Sequence, residues 1–573
     1  MAPPEDPRPS LSRTPSYLKY APRRAIASFE NLVVLANYDE HLREARRMVW
    51  RDRGEPAVEV SDLWECAEHG VRGGFRAGSI AFTLRSGVNL VLLLVRIRSI
   101  PRRERHAFVL RALFGEDSFR FGAMLGCFVS VYRTLLNAFP IVFPAHVPIH
   151  LRLQQLLSHL FSTNSNSSSV IEDSPSSEEL SPVQEHLTLP TPTTSERARS
   201  GRLSINAQAH QLWMRKKTRR WHSVVAGAVA GGVAILFEKP GRQAVISQQL
   251  FVRGLQGSYN AYSRNHGLHV PNGDVIVFSL ACAQIMYAWL LSPETLPRSY
   301  VSWCAAIHTA SHLPREAVAM NRDLVRTGRF QFQDLDKILD MPDLAPRNAT
   351  DLVVKRTLAS ANPPIWGFPF MDCVATHPSV ESCLATPFDR FLAVSRWMFP
   401  IYGALHLIPA LLFKRKKFFE QPARMLLRTA WGTARSSAFL GLFVAIYQSY
   451  FCGKGNLYRV LSSGKTAFKP PAWLIALLIS KPSYWLGGML SGLSLFLEAK
   501  HRRPELAMYV LPKGLESAWV MARGKGLVFR TGQYGEALLT AIGMGMVMST
   551  YQNDPEHLSG LVRRILYQFI GPN

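Results

Sequence analysis

Eight apolar segments separated by basic stretches constrain this 573-residue chain more than any other feature. They have the length of helices and occupy residues 78–95, 121–142, 222–237, 275–291, 398–413, 437–452, 485–497 and 534–551. A helix that crosses a bilayer needs about 20 apolar residues, and several of these segments are shorter. A soluble helical core is therefore the alternative to a membrane bundle.

Basic clusters at the ends of these segments favour the membrane. They occur at positions 96–98, 102–103, 414–417 and 500–503. Cations beside apolar helices are typical of proteins at an anionic membrane surface. The net charge of +25 is spread over such clusters and forms no continuous stripe, which argues against a nucleic-acid partner. We predict an all-α, multi-pass membrane protein whose partner is the lipid bilayer.

Short motifs recur in the same order in the two halves of the chain. FGAMLGCFVSVY at 121–132 matches AFLGLFVAIY at 438–447, GAVAG at 227–231 matches GMLSG at 488–492, and SPETL at 292–296 matches DPEHL at 554–558. The offset is 315 residues between Gly126 and Gly441 and 261 or 262 for the later pairs, because a polar insertion lengthens the first half. These matches predict a tandem duplication of a Gly-rich four-helix unit, with about eight transmembrane helices.

An even number of spans in each unit gives both halves the same orientation. The basic loops 96–111 and 414–428 then share one membrane face, and both termini lie on the other. The basic run at 215–220 lies on the opposite side from those loops in this arrangement and disagrees with it.

The polar segments define the predicted domains. Residues 162–200 are rich in Ser, Thr, Pro and Glu without apolar periodicity, which predicts disorder. The predicted order is an N-terminal extension (1–60), spans one and two (61–160), a disordered insertion with a basic tail (161–220), spans three and four (221–310), a linker (311–364) and a second four-helix repeat (365–573). Seven cysteines, an odd number, favour a reducing compartment over a disulfide scaffold.

Glycines at matching positions of the two halves are the predicted helix-packing residues: Gly126, Gly227, Gly231, Gly441, Gly488 and Gly492. Glycine at positions i and i+4 removes side chains from one helix face, so that another backbone can approach closely. We interpret these positions as contact faces between the halves or between copies in a homo-oligomer. Curvature around a lateral cavity and ordinary small membrane residues are the alternatives.

Two groups of Cys and His precede corresponding spans. Cys66 and His69 lie before the first span, and Cys373, His377 and Cys383 lie before the fifth. Thiolate and imidazole are good ligands for zinc or copper. The spacings C-x2-H and C-x3-H-x5-C differ from those of a zinc finger, so the sequence predicts neither a metal nor a cofactor. If a metal were bound, these five residues would be the candidate ligands, although their signal is weak.

Recognisable catalytic motifs are absent from the sequence, which contains no Walker loop, no G-x-S-x-G and no H-E-x-x-H. The chain is therefore predicted not to be an enzyme. Arg85 and Arg133 lie inside the first two spans, where a cation needs a partner or a watery path. Pairing with lipid headgroups is the alternative for both.

Five stretches of the sequence carry a family resemblance: residues 121–132, 221–262, 271–300 ending in PRSY, 373–383 with HPS, and 414–551. In these stretches the chain resembles the transmembrane protein 135 family, also described as a peroxisomal membrane protein family. The family's cysteine-rich stretch is reduced to Cys66 in the first half. The Gly-rich unit is also similar to the mitochondrial inner-membrane import-channel family.

The first resemblance implies a peroxisomal membrane protein, with a mitochondrial location as the alternative, that takes part in lipid handling and organelle dynamics. It also implies a peroxisomal membrane-protein import receptor as a partner. The second resemblance implies an import-channel-like or lipid-translocation unit.

Overall fold

The computed structural model describes residues 62–96, 101, 104–143, 219–361, 369–413, 415–463, 471–529 and 531–570. These residues form helices, turns and loops without a β-strand, which confirms the all-α prediction for this part of the chain. The predicted N-terminal extension and nearly all of the predicted disordered insertion lie outside the described residues.

The described helices before residue 269 are α1 (Leu63–Arg96), α2 (Arg105–Phe114), α3 (Glu116–Val142), α4 (Arg220–Ala234), which continues as a 3₁₀ turn (Ile235–Phe237), and α5 (Pro240–Asn265). Those that follow, up to residue 376, are α6 (Gly273–Leu291), α7 (Arg298–Ala310), α8 (Arg315–Thr327), α9 (Phe332–Leu339), α10 (Pro346–Ala361) and the single turn α11 (Cys373–Thr376).

The remaining described helices are α12 (Thr386–Phe413), α13 (Arg415–Glu420), α14 (Pro422–Ser462), α15 (Ala472–Ile479), α16 (Pro482–Ser491), which continues as a 3₁₀ helix (Gly492–Leu497), α17 (Arg503–Gly524), α18 (Gly535–Asn553) and α19 (Gly560–Ile570). Proline near the first position begins α5, α14, α16 and α17, where its missing N–H costs no helical hydrogen bond.

The chain divides into two compact units. In the first unit α1 packs along α3, α4 packs on α3, and α18 contacts both α4 and α5. The core of this unit is formed where these helices meet and includes the fully buried Val129, Tyr132, Ala230 and Met548. The C-terminal helix α19 closes the unit against α1 and α3.

The second unit contains α6 to α17. In it α12 packs along α14, and α6 packs against α16 and α17. Helices α8 to α10 occupy the predicted linker 311–364 and have a small core of their own, which includes Met320, Leu335, Ile338 and Leu352. Apolar residues three or four positions apart, such as Ala317 and Met320, give α8 a buried face, so this segment folds as helices.

At two places along the chain, consecutive helices belong to different units. Helix α6 follows α5 in the chain but belongs to the second unit, and α18 follows α17 but belongs to the first. Each unit therefore takes one long apolar helix from the other half of the sequence.

Five described segments are long and apolar enough to cross a membrane: Leu63–Leu94, Arg105–Val142, Arg220–Phe237, Gly273–Leu291 and Thr386–Ile408. They contain or overlap the first five predicted spans. The other three predicted spans lie in α14, in α16 with its continuation, and in α18, and are not among these five. Residues 482–497, with ten residues in α-helix and six in 3₁₀ helix, extend only about 27 Å, short of a hydrocarbon core of about 30 Å. Eight spans therefore stay a prediction.

Candidate functional site

In the first unit the predicted glycine face of α4 lies directly on α18. A Cβ atom at Gly227 would lie 2.7 Å from the Met548 Cβ, and one at Gly231 would lie 2.6 Å from the Met544 Cβ. Real Cβ atoms essentially never come within 3.0 Å of another heavy atom. The two helices therefore contact at a distance that leaves no room for a methyl group.

In the second unit the predicted glycine face of α16 lies on α6 in a corresponding way. A Cβ atom at Gly488 would lie 2.8 Å from the Ala283 Cα, and one at Gly492 would lie 2.5 Å from the Ser279 Cα. The obstructing atoms belong to the backbone, so no side-chain rotation relieves the clash.

The remaining predicted glycines also lie at helix contacts. A Cβ atom at Gly126 on α3 would lie 3.0 Å from the Gly74 carbonyl oxygen on α1, and one at Gly441 on α14 would lie 2.7 Å from the Phe391 carbonyl oxygen on α12. Gly74 and Gly78, which face Gly126, lie outside the matched motifs of the two halves and are not among the predicted packing residues. All of these contacts lie within one unit or the other.

Both arginines inside the predicted spans have protein partners. Arg133 is buried, and its guanidinium donates hydrogen bonds to the Ile570 carbonyl oxygen at the C-terminal end of α19. A cation at this end of a helix satisfies a free carbonyl and complements the helix dipole. The Nη2 of Arg85 lies 3.9 Å from the Asp117 carboxylate.

The metal candidates of the first half do not form a site. The Nε2 of His69 lies 3.4 Å from the Arg133 Nη1, where a cation disfavours a second positive ion, and Cys66 is fully buried on α1. Neither residue belongs to the group of closely spaced ligand atoms found in the described part of the chain.

The candidates of the second half come together with a fourth residue. The ligand atoms of Cys373, His377, Cys383 and Cys452 all lie within 4.8 Å of one another. Cys373 begins α11, whose first N–H donates to the Asp372 carboxylate at 2.7 Å. Cys452 could not be selected from the sequence because it ends a predicted span 69 positions after Cys383, and a lone cysteine in an apolar helix carries no signal of its own.

The segment that holds these candidates is fixed by one buried amide. The Asn348 Nδ2 donates to the carbonyl oxygens of His377 (3.2 Å), Pro378 (3.0 Å) and Val380 (3.1 Å). Asn348 begins the sequon Asn-Ala-Thr, but its side chain is buried in these contacts. The fold therefore leaves no room for a glycan at this position.

A cavity of about 230 Å³ lies in the second unit between α6, α7, α8, α12, α14 and α17. Its walls are mostly apolar and aromatic and include Val318, Phe439, Phe443, Val444 and Tyr447. Trp289 and His308 form one wall as a stacked pair with ring centroids 3.8 Å apart. Burial, with a smaller contribution from the Arg390 charge, lowers the pKa of His308 to about 3, so this ring is neutral at physiological pH.

Two buried side chains of the cavity wall have an N–H group without a hydrogen-bond partner among the described residues. The Asn321 amide oxygen accepts hydrogen bonds from the Tyr484 hydroxyl (3.0 Å) and the Met371 N–H (3.2 Å), but its Nδ2 has no partner. The Arg390 Nη2 donates to the Thr376 carbonyl at 2.6 Å, but its Nε has none. Each unsatisfied buried donor costs about 1–3 kcal/mol, so an acceptor atom that comes within reach of either N–H would be stabilised.

The positive charge of Arg390 strengthens the preference of the cavity for an acceptor. Arg390 is 2% exposed, and no carboxylate among the described residues lies within 4.0 Å of its guanidinium. A buried cation is stable only when it is paired. The cavity can therefore accommodate an apolar body with a polar, preferably anionic, end.

The chain matches no known family model, no curated protein and no solved structure. The function is accordingly argued from the cavity and the fold.

Proposed function

We propose that this chain is a non-enzymatic, multi-pass membrane protein that binds a lipid with a single acyl chain and an acceptor headgroup in the cavity of its second unit. The observation that carries the proposal is the apolar cavity with its two unsatisfied N–H donors, on Asn321 and Arg390. The proposal agrees with the lipid handling that the family resemblance implies.

The surface of the candidate spans supports residence in a membrane. Only 17% of the most apolar window of Leu63–Leu94 and 11% of that of Thr386–Ile408 is buried inside the protein. Large apolar side chains are correspondingly exposed on α1 and α12, including Leu92 and Leu405. In water such surfaces would be costly, whereas in a bilayer they face acyl chains.

Matching features of the two halves support a tandem duplication. In each half a Gly-rich helix continues as a 3₁₀ segment that is followed by a buried glutamate, Glu238 or Glu498. Each glutamate pairs with an arginine four positions later, Arg242 at 2.5 Å and Arg502 at 3.3 Å. The Gly-rich helix then packs on a long helix, α18 or α6, that comes from the other half of the sequence.

The size of the cavity limits the ligand. Ligand pockets usually measure about 300–1,000 Å³, and this one is smaller. A single acyl chain fits such a space better than a bulky ring system. An ionised fatty acid supplies two acceptor oxygens and the negative charge that Arg390 lacks, so we expect a free fatty acid as the ligand.

Filling the cavity is expected to abolish fatty-acid binding. In Val444→Phe the larger ring occupies space that the acyl chain would need. Asn321→Leu removes an unsatisfied donor and is expected to weaken binding about tenfold. Binding is measured by displacement of a fluorescent fatty acid from the delipidated, purified protein in detergent.

Val245→Phe is the matched control, because Val245 on α5 in the first unit is 48% exposed. Thermal unfolding of every variant shows whether it is folded. Equal displacement curves for folded Val444→Phe, Val245→Phe and the unmodified protein would contradict the binding proposal.

We further propose a peroxisomal location and delivery by a peroxisomal membrane-protein import receptor. Tags at the C-terminus and near Ser181 are expected to label peroxisomal membranes, resist alkaline extraction and be digested by protease added to intact organelles. A mitochondrial signal with both tags protected until the outer membrane is ruptured would favour the import-channel-like alternative. A soluble, diffuse signal would contradict membrane residence.

A further inference from the structure

We propose that Cys373, His377, Cys383 and Cys452 form a structural zinc site. Three thiolates and one imidazole are a ligand set typical of structural zinc, which takes four protein ligands in a tetrahedron. Because all four positions are filled by the protein, this site would hold the segment from Cys373 to Cys383 against α14 and would leave no coordination position for a substrate.

The spacing of the ligand atoms suits a zinc ion. With bonds of about 2.3 Å to sulfur and 2.0–2.1 Å to nitrogen, tetrahedral ligand atoms lie about 3.5–3.8 Å apart. The four atoms here all lie within 4.8 Å of one another, and the Cys383 Sγ is 3.4 Å from the His377 Nε2. Cys373, His377 and Cys452 are buried, whereas Cys383 is half-buried and provides a path for entry of the ion.

The orientation of the histidine is fixed as a metal ligand requires. The His377 Nδ1 lies 2.7 Å from the Val380 carbonyl oxygen. A carbonyl oxygen only accepts hydrogen bonds, so the proton is on Nδ1, and Nε2 presents its lone pair to the three sulfur atoms. A backbone carbonyl that holds the second ring nitrogen is the usual outer contact of a zinc-bound histidine.

Further outer contacts surround the ligands. The Gln448 Nε2 donates to the Cys452 Sγ at 3.2 Å, as an amide does to a thiolate. The Arg390 guanidinium donates to the carbonyl of Thr376, the residue before His377. This hydrogen bond holds the backbone next to His377 in place.

The competing use of the same residues is a disulfide between two of the cysteines. All seven cysteines are free in the structure. Zinc and a disulfide are distinguished by the number of alkylated cysteines after denaturation with a chelator: seven for a zinc site, and five if two are oxidised.

The test is the zinc content of the full chain, purified in detergent under reducing conditions and measured by mass spectrometry of the metal. About one zinc per chain is expected. Cys452→Ser is expected to lose it, whereas the control Cys127→Ser, which changes a half-buried cysteine of α3 outside the cluster, should retain it. A chain without zinc, or equal zinc in both variants, would overturn the proposal.

The unmodified protein supplies a second measurement in case Cys452→Ser does not fold. Alkylation of the native protein should spare Cys373, Cys383 and Cys452, and a strong chelator should make all three reactive. Unchanged reactivity after chelation would overturn the proposal. Gln448→Leu, which removes an outer contact only, should lower zinc affinity about 10–100-fold in a chelator competition.

Discussion

Replacing Gly492 with leucine is expected to destabilise the second unit by about 3 kcal/mol or more, the upper end of the range for over-packing. A Cβ atom at this position already lies 2.5 Å from the Ser279 Cα, and the leucine adds three further carbons. The backbone of α6 and that of the 3₁₀ helix that continues α16 must separate to admit them. For a unit of this size each kcal/mol lowers the midpoint of thermal unfolding by about 2–4 °C, so a loss of roughly 6–12 °C is expected in detergent.

Gly453→Leu is the matched control, because Gly453 lies in α14 and no atom of the described residues lies within 4 Å of its Cβ position. There leucine replaces a poor helix former and should be neutral or slightly stabilising. Gly492→Ala should fall between the two, since it adds only the clashing carbon. If Gly492→Leu kept the unfolding temperature of the unmodified protein, the close contact between α16 and α6 would be wrong.

Replacing Glu498 with alanine is expected to cost about 3 kcal/mol, the lower end of the range for breaking a buried ion pair. The carboxylate is 1% exposed, accepts a hydrogen bond from the Ser436 hydroxyl at 2.8 Å and pairs with Arg502 at 3.3 Å. Its loss leaves the Arg502 cation without its anion at the junction of α12, α14 and α16. The cost is kept low because Arg502 is one-third exposed and retains some water.

Glu516→Ala is the control for that experiment. Glu516 pairs with Lys513 at the same 3.3 Å, but both side chains are partly exposed, and such pairs contribute only about 0–1 kcal/mol. Both variants are compared with the unmodified protein by thermal unfolding in detergent. Equal small losses would show that the glutamate that follows the 3₁₀ helix is not a stabilising feature of the unit.

The glycine contacts also bear on whether the protein contains a transport groove. If Gly231 and Gly492 lined an open groove, larger residues there would block transport and leave the fold intact. Both positions are instead covered by α18 and α6. A loss of stability, not a selective loss of flux, is therefore the expected result, and the cavity with Asn321 and Arg390 is the better candidate for lipid binding.

Much of the fold can be predicted from local features of the sequence. The helical secondary structure and the positions of the long apolar segments follow from composition and periodicity. Both are properties of each segment alone. The predicted linker 311–364 contains the helices α8 to α10, and Ala317, Met320 and Leu324 of α8 lie at helical spacing. Short amphipathic helices are easily overlooked between long apolar ones. The assignment of α6 to the second unit and of α18 to the first cannot be predicted from the sequence, because two similar apolar helices have no local feature that specifies their packing partner.

The site was less predictable than the fold. Cys373, His377 and Cys383 were found because they are close in sequence, whereas Cys452 needed the three-dimensional packing of α14. Asn321 and Arg390 are ordinary polar residues in the sequence. Their interest comes from burial and from the absence of a partner for one N–H of each, and both properties arise only when several helices surround them.

The exchanged helices impose an order on biosynthesis. The glycine face of α4 is complete only when α18 arrives, and more than 260 residues separate Leu268 from Gln533, where the first unit resumes. At about 5–20 residues per second the ribosome needs roughly 13–50 s to bridge that interval. Throughout it, the face around Gly227 and Gly231 lacks α18, the helix that covers it in the finished protein. A chain terminated anywhere before α18 would leave this face uncovered, so that even a late stop codon would damage the unit made first.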